Sequence, residues 1–358
     1  MRVAQVLPSF FGDELAFMGG GDRYVYQLAR ALRPYCDVTF FTFGSRYREE
    51  SLDGLNHVVL PTLRRANVDN VFPASLDFLS RRYDIVHCHQ LRTFVTNIAT
   101  IFRRAVGKPL IVTDEGGGGR SASFRWRLYK FIPAYICISE FSRRLLPADA
   151  QGRAAVVKGG LDPARFPYDA RPRSRQVVQV GRIMPHKGID VLIEAAGTDI
   201  PVVVAGKIVN QTYYADLQRM ARGKQIRFLI DAPDDAILAE YQRSSVTVTA
   251  SVYRDMYGGY WPTSELLGLT LLESQSVGTP VVSTAVGGMP EYVRDGVTGF
   301  VIPPSDPLAL RARVEALLNN PALVATMGSA GHAYAAQYSW DAVARQVSAV
   351  YARLLHGT

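Results

Sequence analysis

Arg182 and Lys187 stand five residues apart in VGRIMPHKGIDVLIEA (180–195), between an apolar run and a segment with helical spacing. Two cations on a strand-to-helix loop, beside a helix N-terminus, make an anion clamp suited to a diphosphate. A second pair of charges is Glu265 and Glu273 in TSELLGLTLLESQSVGTPVV (263–282), which is otherwise apolar apart from small hydroxyl residues and one Gln. A buried carboxylate is costly unless it is paired or hydrogen-bonded, and a polyol ligand supplies hydroxyls. Glu265 is expected on a loop just before a buried helix and Glu273 on that helix; eight residues of helix would span about 12 Å, comparable to an extended nucleotide-sugar measured from sugar to ribose. The plainer alternative is two structural glutamates bonded to backbone or Arg.

Four further stretches carry weaker signals. MGGGDRY (18–24) precedes a helix, so backbone N–H groups at Gly20 and Gly21 can approach a phosphate. It is not GxGxxG, which disfavours a dinucleotide fingerprint; a Gly turn capped by Asp22 is the plain alternative. His87 and His89 in HCH end a strand and point to the same face. No acidic partner is evident for a metal, and no Asp-x-Asp occurs, so His89 is expected to line a binding cleft without a metal. TDEGGGGR (113–120) follows another strand and puts Asp114 and Glu115 on the same side. SFRWRLYKFIPAY (123–135) mixes cations with aromatics and suits either a membrane surface or a solvated helix.

The elements that must position these residues alternate strand and helix. Strands are expected at 2–8, 37–43, 84–89, 109–114 and 135–139, with helical spacing at Tyr24, Leu28 and Leu32. GGLDPARFPYDARPRSR, rich in Gly, Pro and Arg, then breaks the pattern as a linker near 159–175. The alternation restarts with strands 176–181, 201–206, 226–230, 246–251 and 279–284 between helical segments, then helices at 307–319 and 340–355. This predicts an α/β protein with two Rossmann-like domains, parallel sheets facing across a deep cleft. The expected division is 1–165, 166–335, and a C-terminal segment 336–358. Ligands of such sheets sit beyond the carboxyl ends of strands, where every candidate above falls.

With 48% apolar and 20% charged residues the chain is globular. Cys36, Cys88 and Cys137 are few and far apart, which fits a reducing compartment. The opening MRVAQVLPSF is expected to be a first strand, not a signal peptide, and no apolar run is long enough to span a membrane. A cytoplasmic protein is the expectation. The charge of +8 is uneven: residues 1–170 hold 23 Lys/Arg against 16 Asp/Glu (+7), and 171–358 hold 17 against 16 (+1). A basic N-terminal half suits an anionic surface, such as lipid headgroups at the inner face of a membrane, or a phosphorylated acceptor. There is no nucleic-acid reader motif.

Taken together, SELLGLTLLESQSVGTPVVSTAVGGMPEYVRDGVTGFVIPPSDPLAL and VGRIMPHKGIDVLIEA resemble the E-x7-E and Gly-Arg…Lys-Gly regions of the family 4 retaining glycosyltransferases, of GT-B fold. GGGDRYVYQLARAL, YDIVHCH, YICISEFS and VVKGGLDPARF extend the resemblance over nearly the whole chain. It implies that Arg182 and Lys187 bind a donor diphosphate and that backbone at Gly20 or Gly21 meets the distal phosphate. It implies further that Glu265 holds sugar hydroxyls beside the N–H groups of Leu267 and Gly268, and that Glu273 takes the ribose diol. Two departures stand out. LLG replaces the common Gly-Phe-Gly after the first Glu, behind an unusual loop, YRDMYGGYWP. Asp114-Glu115 stands where many members have a His that contacts the donor sugar, so the sugar and the role of Glu115 stay open.

The implied chemistry is transfer of a sugar from a nucleoside diphosphate, UDP- or GDP-linked, to a hydroxyl acceptor, whether glycan, lipid-linked or small molecule, in glycan, polysaccharide or glycolipid synthesis. Arg182, Lys187 and a helix N-terminus would stabilise the leaving diphosphate, without metal or other cofactor. By resemblance, attack is from the front face, the departing phosphate taking the acceptor's proton. The helix around Trp340 is expected to return to the N-terminal domain and set closure. Rival readings are an epimerase or phosphorylase of the same fold, a non-catalytic binding or scaffold subunit, and, distantly, a nicotinamide dehydrogenase.

Overall fold

The computed structural model describes residues 1–11, 20–67, 70–114 and 127–356. The chain divides into two compact units, Met1–Gly160 with Trp340–Thr358, and Leu161–Ser339.

In the first unit the strands are β1 (Arg2–Phe10), β2 (Asp37–Gly44), β3 (Arg48–Leu52), β4 (Leu55–Asn67), β5 (Asn70–Pro73), β6 (Ile85–His89), β7 (Leu110–Thr113), β8 (Ala134–Cys137) and β9 (Ala154–Val156). They form one sheet in the order β3-β4-β2-β1-β6-β7-β8-β9, with β5 on β4. All pairings are parallel except β3 and β5 against β4. Helix α1 (Gly20–Ala31) follows β1, and α2 (Phe94–Ala105) follows β6. Thr93 starts α2 by accepting the Thr96 N–H on its side chain. The parallel strands are buried almost throughout, which is why they appear in the sequence as apolar runs without alternation. Their inward side chains form a core that includes Phe41, Phe43, Val86 and Val112.

The second unit carries β10 (Ser174–Val180), β11 (Val202–Gly206), β12 (Ile226–Ile230), β13 (Ser244–Thr249), β14 (Val281–Thr284) and β15 (Gly299–Ile302). All are parallel, in the order β12-β11-β10-β13-β14-β15. The helices are α3 (Ile189–Ala196), α4 (Gln211–Met220), α5 (Asp234–Arg243), α6 (Leu269–Ser276), α7 (Pro307–Leu318) and α8 (Pro321–Ala335). Side chains of Asn210, Asp306 and Asn320 cap α4, α7 and α8. In both units the first strand runs between the second and the fourth of the parallel series. Chain order therefore reverses beside β1 and beside β10, the position where such sheets bind ligands.

The last helix, α9 (Trp340–His356), belongs to the first unit and packs on α1. Trp340 meets Tyr24 with ring centroids 5.0 Å apart, over Gly160. Its buried Tyr351 hydroxyl accepts from Gln5 Nε2 at 2.6 Å and meets His87 Nδ1 at 2.7 Å. Residues 127–135, the described part of the stretch read as either a membrane surface or a solvated helix, form a 3-10 turn at Leu128–Phe131 and then enter β8. The described helices include none long and apolar enough to cross a membrane.

Candidate functional site

The carboxyl ends of β10 and β13 flank the reversal point of the second sheet, and the loops that leave them carry the charged residues. The loop after β10 turns through Pro185–Lys187 as a 3-10 turn and enters α3 at Gly188. Gly188 has φ +59°, and a Cβ there would lie 1.9 Å from the Ala250 carbonyl oxygen. Only glycine allows both that conformation and that approach. Gln179 Nε2 donates to the Lys187 carbonyl at 2.9 Å, and Val252 N–H to the His186 carbonyl at 2.9 Å. The loop is thus tied to β10 at one end and to the loop after β13 at the other.

The loop after β13 runs to Gly268, where α6 begins. Glu265 lies in this loop, 6% exposed, with its own carbonyl accepting the Gly288 N–H at 2.7 Å. Its Oε1 takes Lys187 Nζ at 2.6 Å and the Ser251 hydroxyl at 2.8 Å. His186 Nε2 is 4.0 Å from the same oxygen. The cation of one loop and the carboxylate of the other therefore meet across the reversal point. Arg182 is exposed and, among the described residues, makes no hydrogen bond or ion pair.

Glu273 is on α6, half-buried, and its Oε2 accepts from the Tyr241 hydroxyl at 3.0 Å. Burial, and then the Glu273 charge, push the Tyr241 phenol well above its ordinary value, so it stays a donor. Glu265 precedes the helix that carries Glu273, as expected, but α6 starts only at Leu269, four residues after Glu265, so the two are not joined by eight residues of helix. Leu267 and Gly268 stand at that start, and among the described residues neither N–H has a protein acceptor. Orphan N–H groups of this kind are what a helix start offers an anion or a hydroxyl oxygen.

A family model described as Glycosyltransferase Family 4 matches residues 18–165, and one described as Glycosyl transferases group 1 matches residues 162–334. The chain belongs to the family 4 glycosyltransferases. It is similar to the D-inositol 3-phosphate glycosyltransferase of Streptomyces scabiei, 30% identical over 231 residues, 57% of this chain and 49% of that protein. The namesake in Segniliparus rotundus is 32% identical over 216 residues, 57% of this chain and 43% of that one. The chain thus spans about half the length of the curated relatives it matches. Among solved structures it resembles sucrose-phosphate synthase from Thermosynechococcus elongatus (TM-score 0.75, 20% identity, 100% of both chains). It also resembles Anabaena HepE in complex with UDP and glucose (TM-score 0.71, 16% identity, 98% of this chain and 99% of that chain). At these identities the likeness speaks for the fold, two parallel-sheet α/β domains of GT-B type.

In this family 4 glycosyltransferase the remaining expected site residues lie in the first unit. Gly20 and Gly21 are the first residues of α1, and Asp114 follows β7. Glu115 falls outside the described residues. His89 is fully buried, its Nε2 2.6 Å from Gln5 Oε1, so it presents no surface to a ligand in this arrangement. His87 bonds Thr113 Oγ1 and the Tyr351 hydroxyl, both at 2.7 Å. Burial lowers His87 well below the ordinary histidine value and takes His89 down to about 3. Both rings are neutral. Among the described residues no group of three or more His, Cys, Asp or Glu is arranged to hold a metal ion.

Sequence reasoning missed three side chains that complete the geometry: Ser251, Tyr241 and His186. Ser251 ends the expected strand 246–251 (VTVTAS) and Tyr241 lies inside α5, and neither segment shows which way its polar atom points. A hydroxyl just past a strand at the reversal point was the available signal for Ser251.

Proposed function

We propose that this glycosyltransferase moves a sugar, with retention of anomeric configuration and without a metal, from a UDP- or GDP-linked donor to a hydroxyl acceptor. One observation carries the donor site. Lys187, with Arg182 on the same loop, meets Glu265 where the sheet order reverses, beside the open N–H groups of Leu267 and Gly268. A diphosphate at this place is met by two cations and a helix start, the groups that stabilise charge building on a leaving phosphate. Glu265, held by Ser251, faces the sugar hydroxyls, and Glu273, held by Tyr241, takes the ribose diol. Gly20 and Gly21, heading α1, supply backbone N–H groups to the distal phosphate. Asp114 and Glu115 are assigned to the sugar or the acceptor.

A nucleotide-sugar donor is favoured by the solved relative held with UDP and glucose. The inositol phosphate in the curated relatives' name, with the +7 charge of residues 1–170, favours an anionic acceptor, or an acceptor on a membrane surface touched peripherally from the cytoplasm. Glycan, polysaccharide or glycolipid synthesis is the matching role.

The test is a thermal-shift panel of UDP, GDP, ADP and NAD against wild type and Lys187→Ala. A ligand at 100 times its Kd stabilises by about 2.7 kcal/mol. One nucleoside diphosphate should raise the wild-type Tm and leave the variant unmoved, and Lys187→Ala should lose turnover of order 10²-fold. Stabilisation by NAD alone, or wild-type turnover in the variant, overturns the assignment. Product anomeric configuration and activity in EDTA check retention and metal independence.

A further inference from the structure

His186 stands against the cation and the carboxylate of this site, and the reading so far gives it no task. It is 3% exposed, and among the described residues neither ring nitrogen has a hydrogen-bond partner. Buried polar atoms left unbonded are costly and rare, so the arrangement calls for a state in which they are satisfied. One acceptor stands close by. Nε2 lies 4.0 Å from Glu265 Oε1, the oxygen that now takes Lys187 Nζ at 2.6 Å.

The ring also packs against the unusual loop noted in the sequence. Trp261 packs on the imidazole with centroids 4.9 Å apart. Its indole Nε1 donates to Asp255 Oδ2 at 2.6 Å, and Asp255 Oδ1 accepts the N–H groups of Tyr257 at 2.9 Å and Gly259 at 2.8 Å. Trp261 N–H closes the loop on the Tyr253 carbonyl at 2.8 Å. Trp261 and its loop thus brace the ring beside Glu265. The charged groups around it are Lys187, Glu265, Arg182 and Asp255. Burial, with Lys187 next, lowers the imidazole to about 4, so at neutral pH it is uncharged and carries one N–H.

A diphosphate entering the site competes for Lys187. If the ammonium turns to the phosphate, Glu265 is left buried with only the Ser251 hydroxyl on Oε1, an arrangement that penalises binding. We propose that His186 is a positioning residue that exchanges with Lys187 at Glu265: as Lys187 turns to the donor diphosphate, the Nε2–H of neutral His186 moves onto Glu265 Oε1 and keeps the carboxylate aligned for the sugar. The exchange presupposes the donor site described above.

Two variants separate this role from ordinary packing. His186→Leu removes both unsatisfied nitrogens, so without nucleotide it should melt at or above the wild-type temperature. Its affinity for the stabilising nucleotide among UDP, GDP and ADP should fall about tenfold or more. His186→Gln keeps an N–H donor and should recover affinity to within about threefold. In spectra of nitrogen-15 histidine, His186 Nε2 should shift on adding that nucleotide to wild type. An unchanged Kd in His186→Leu overturns the exchange, and so does a melting point well below wild type without nucleotide, because the ring would then already be bonded. If no diphosphate shifts the wild-type protein, the donor site itself fails. If wild type and His186→Leu respond alike, the donor site stands and the exchange fails.

Discussion

At the residue scale the proposed donor site is a competition for Lys187. Its ammonium is 2.6 Å from a nearly buried carboxylate, so a diphosphate must draw it from Glu265 or share it. Glu265→Gln keeps the shape and the Ser251 contact while removing the charge that holds Lys187. The variant should therefore bind the nucleoside diphosphate at least as tightly as wild type, by calorimetry. On the proposed role, in which the carboxylate holds the sugar in the transition state, its kcat should fall by about 10²-fold. Weaker nucleotide binding in Glu265→Gln contradicts this. Arg182, Lys187, Glu265 and Glu273 were legible in sequence because charge in an apolar strand-loop-helix setting is conspicuous. Ser251, Tyr241 and His186 were not, because their roles depend on which loop lands beside which strand, and local spacing is silent on that.

At the element scale, two glycines fix the loops that carry the pair. Gly188 lets the turn of Lys187 lie on the Ala250 carbonyl, and Gly287 (φ +58°) lets the next loop lie 1.9 Å, measured from an added Cβ, from the Glu265 carbonyl oxygen. Gly188→Ala meets both a left-handed backbone and a main-chain clash. It should cost roughly 2–4 kcal/mol in urea unfolding and remove nucleotide binding in whatever fraction stays folded. Wild-type stability would mean that the turn relaxes freely. The alternation of strand and helix was readable because parallel strands buried on both faces leave unbroken apolar runs, as in PVVVAG. The β3–β4 hairpin was missed although its signal was present. Asp53 and Gly54 both have positive φ, and Leu52 pairs with Leu55 across this two-residue turn, where Asp-Gly is favoured. Polar, exposed β3 offered no apolar run to notice. Helix α8 was missed for a different reason: its apolar residues lie all round, with Gly328 packed 2.1 Å, by an added Cβ, from the Gly278 carbonyl oxygen, so no stripe marks it.

At the scale of the whole molecule, the first unit is held to its last helix by buried polar groups. Gln5 on β1, His87 and His89 on β6, Thr113 on β7 and Tyr351 on α9 are all fully buried and bonded to one another. Both histidines have depressed values when folded, so the unfolded chain binds protons near pH 6.5 that the folded chain refuses. The stability they permit is present above pH 6.5 and is lost as pH falls below it, by about 1.4 kcal/mol per unit for each ring. Between pH 7.5 and 5.5 the pair should cost about 3 kcal/mol. His57, lowered by burial against the opposing pull of Glu50, adds in the same direction, so the difference between variants is the sharper measure. His89→Gln keeps a donor for Gln5 and removes one titrating ring, which should flatten the profile by roughly 1.4 kcal/mol over that interval. Urea unfolding followed at pH 7.5, 6.5 and 5.5 for wild type and variant decides it, and parallel profiles would mean that His89 takes up its proton while folded. Such a network binds α9 to the sheet only while the imidazoles stay neutral, so the first unit should be acid-sensitive through this seam. Tyr351→Phe, which strips the hydroxyl from both Gln5 and His87, should bring its unfolding to higher pH.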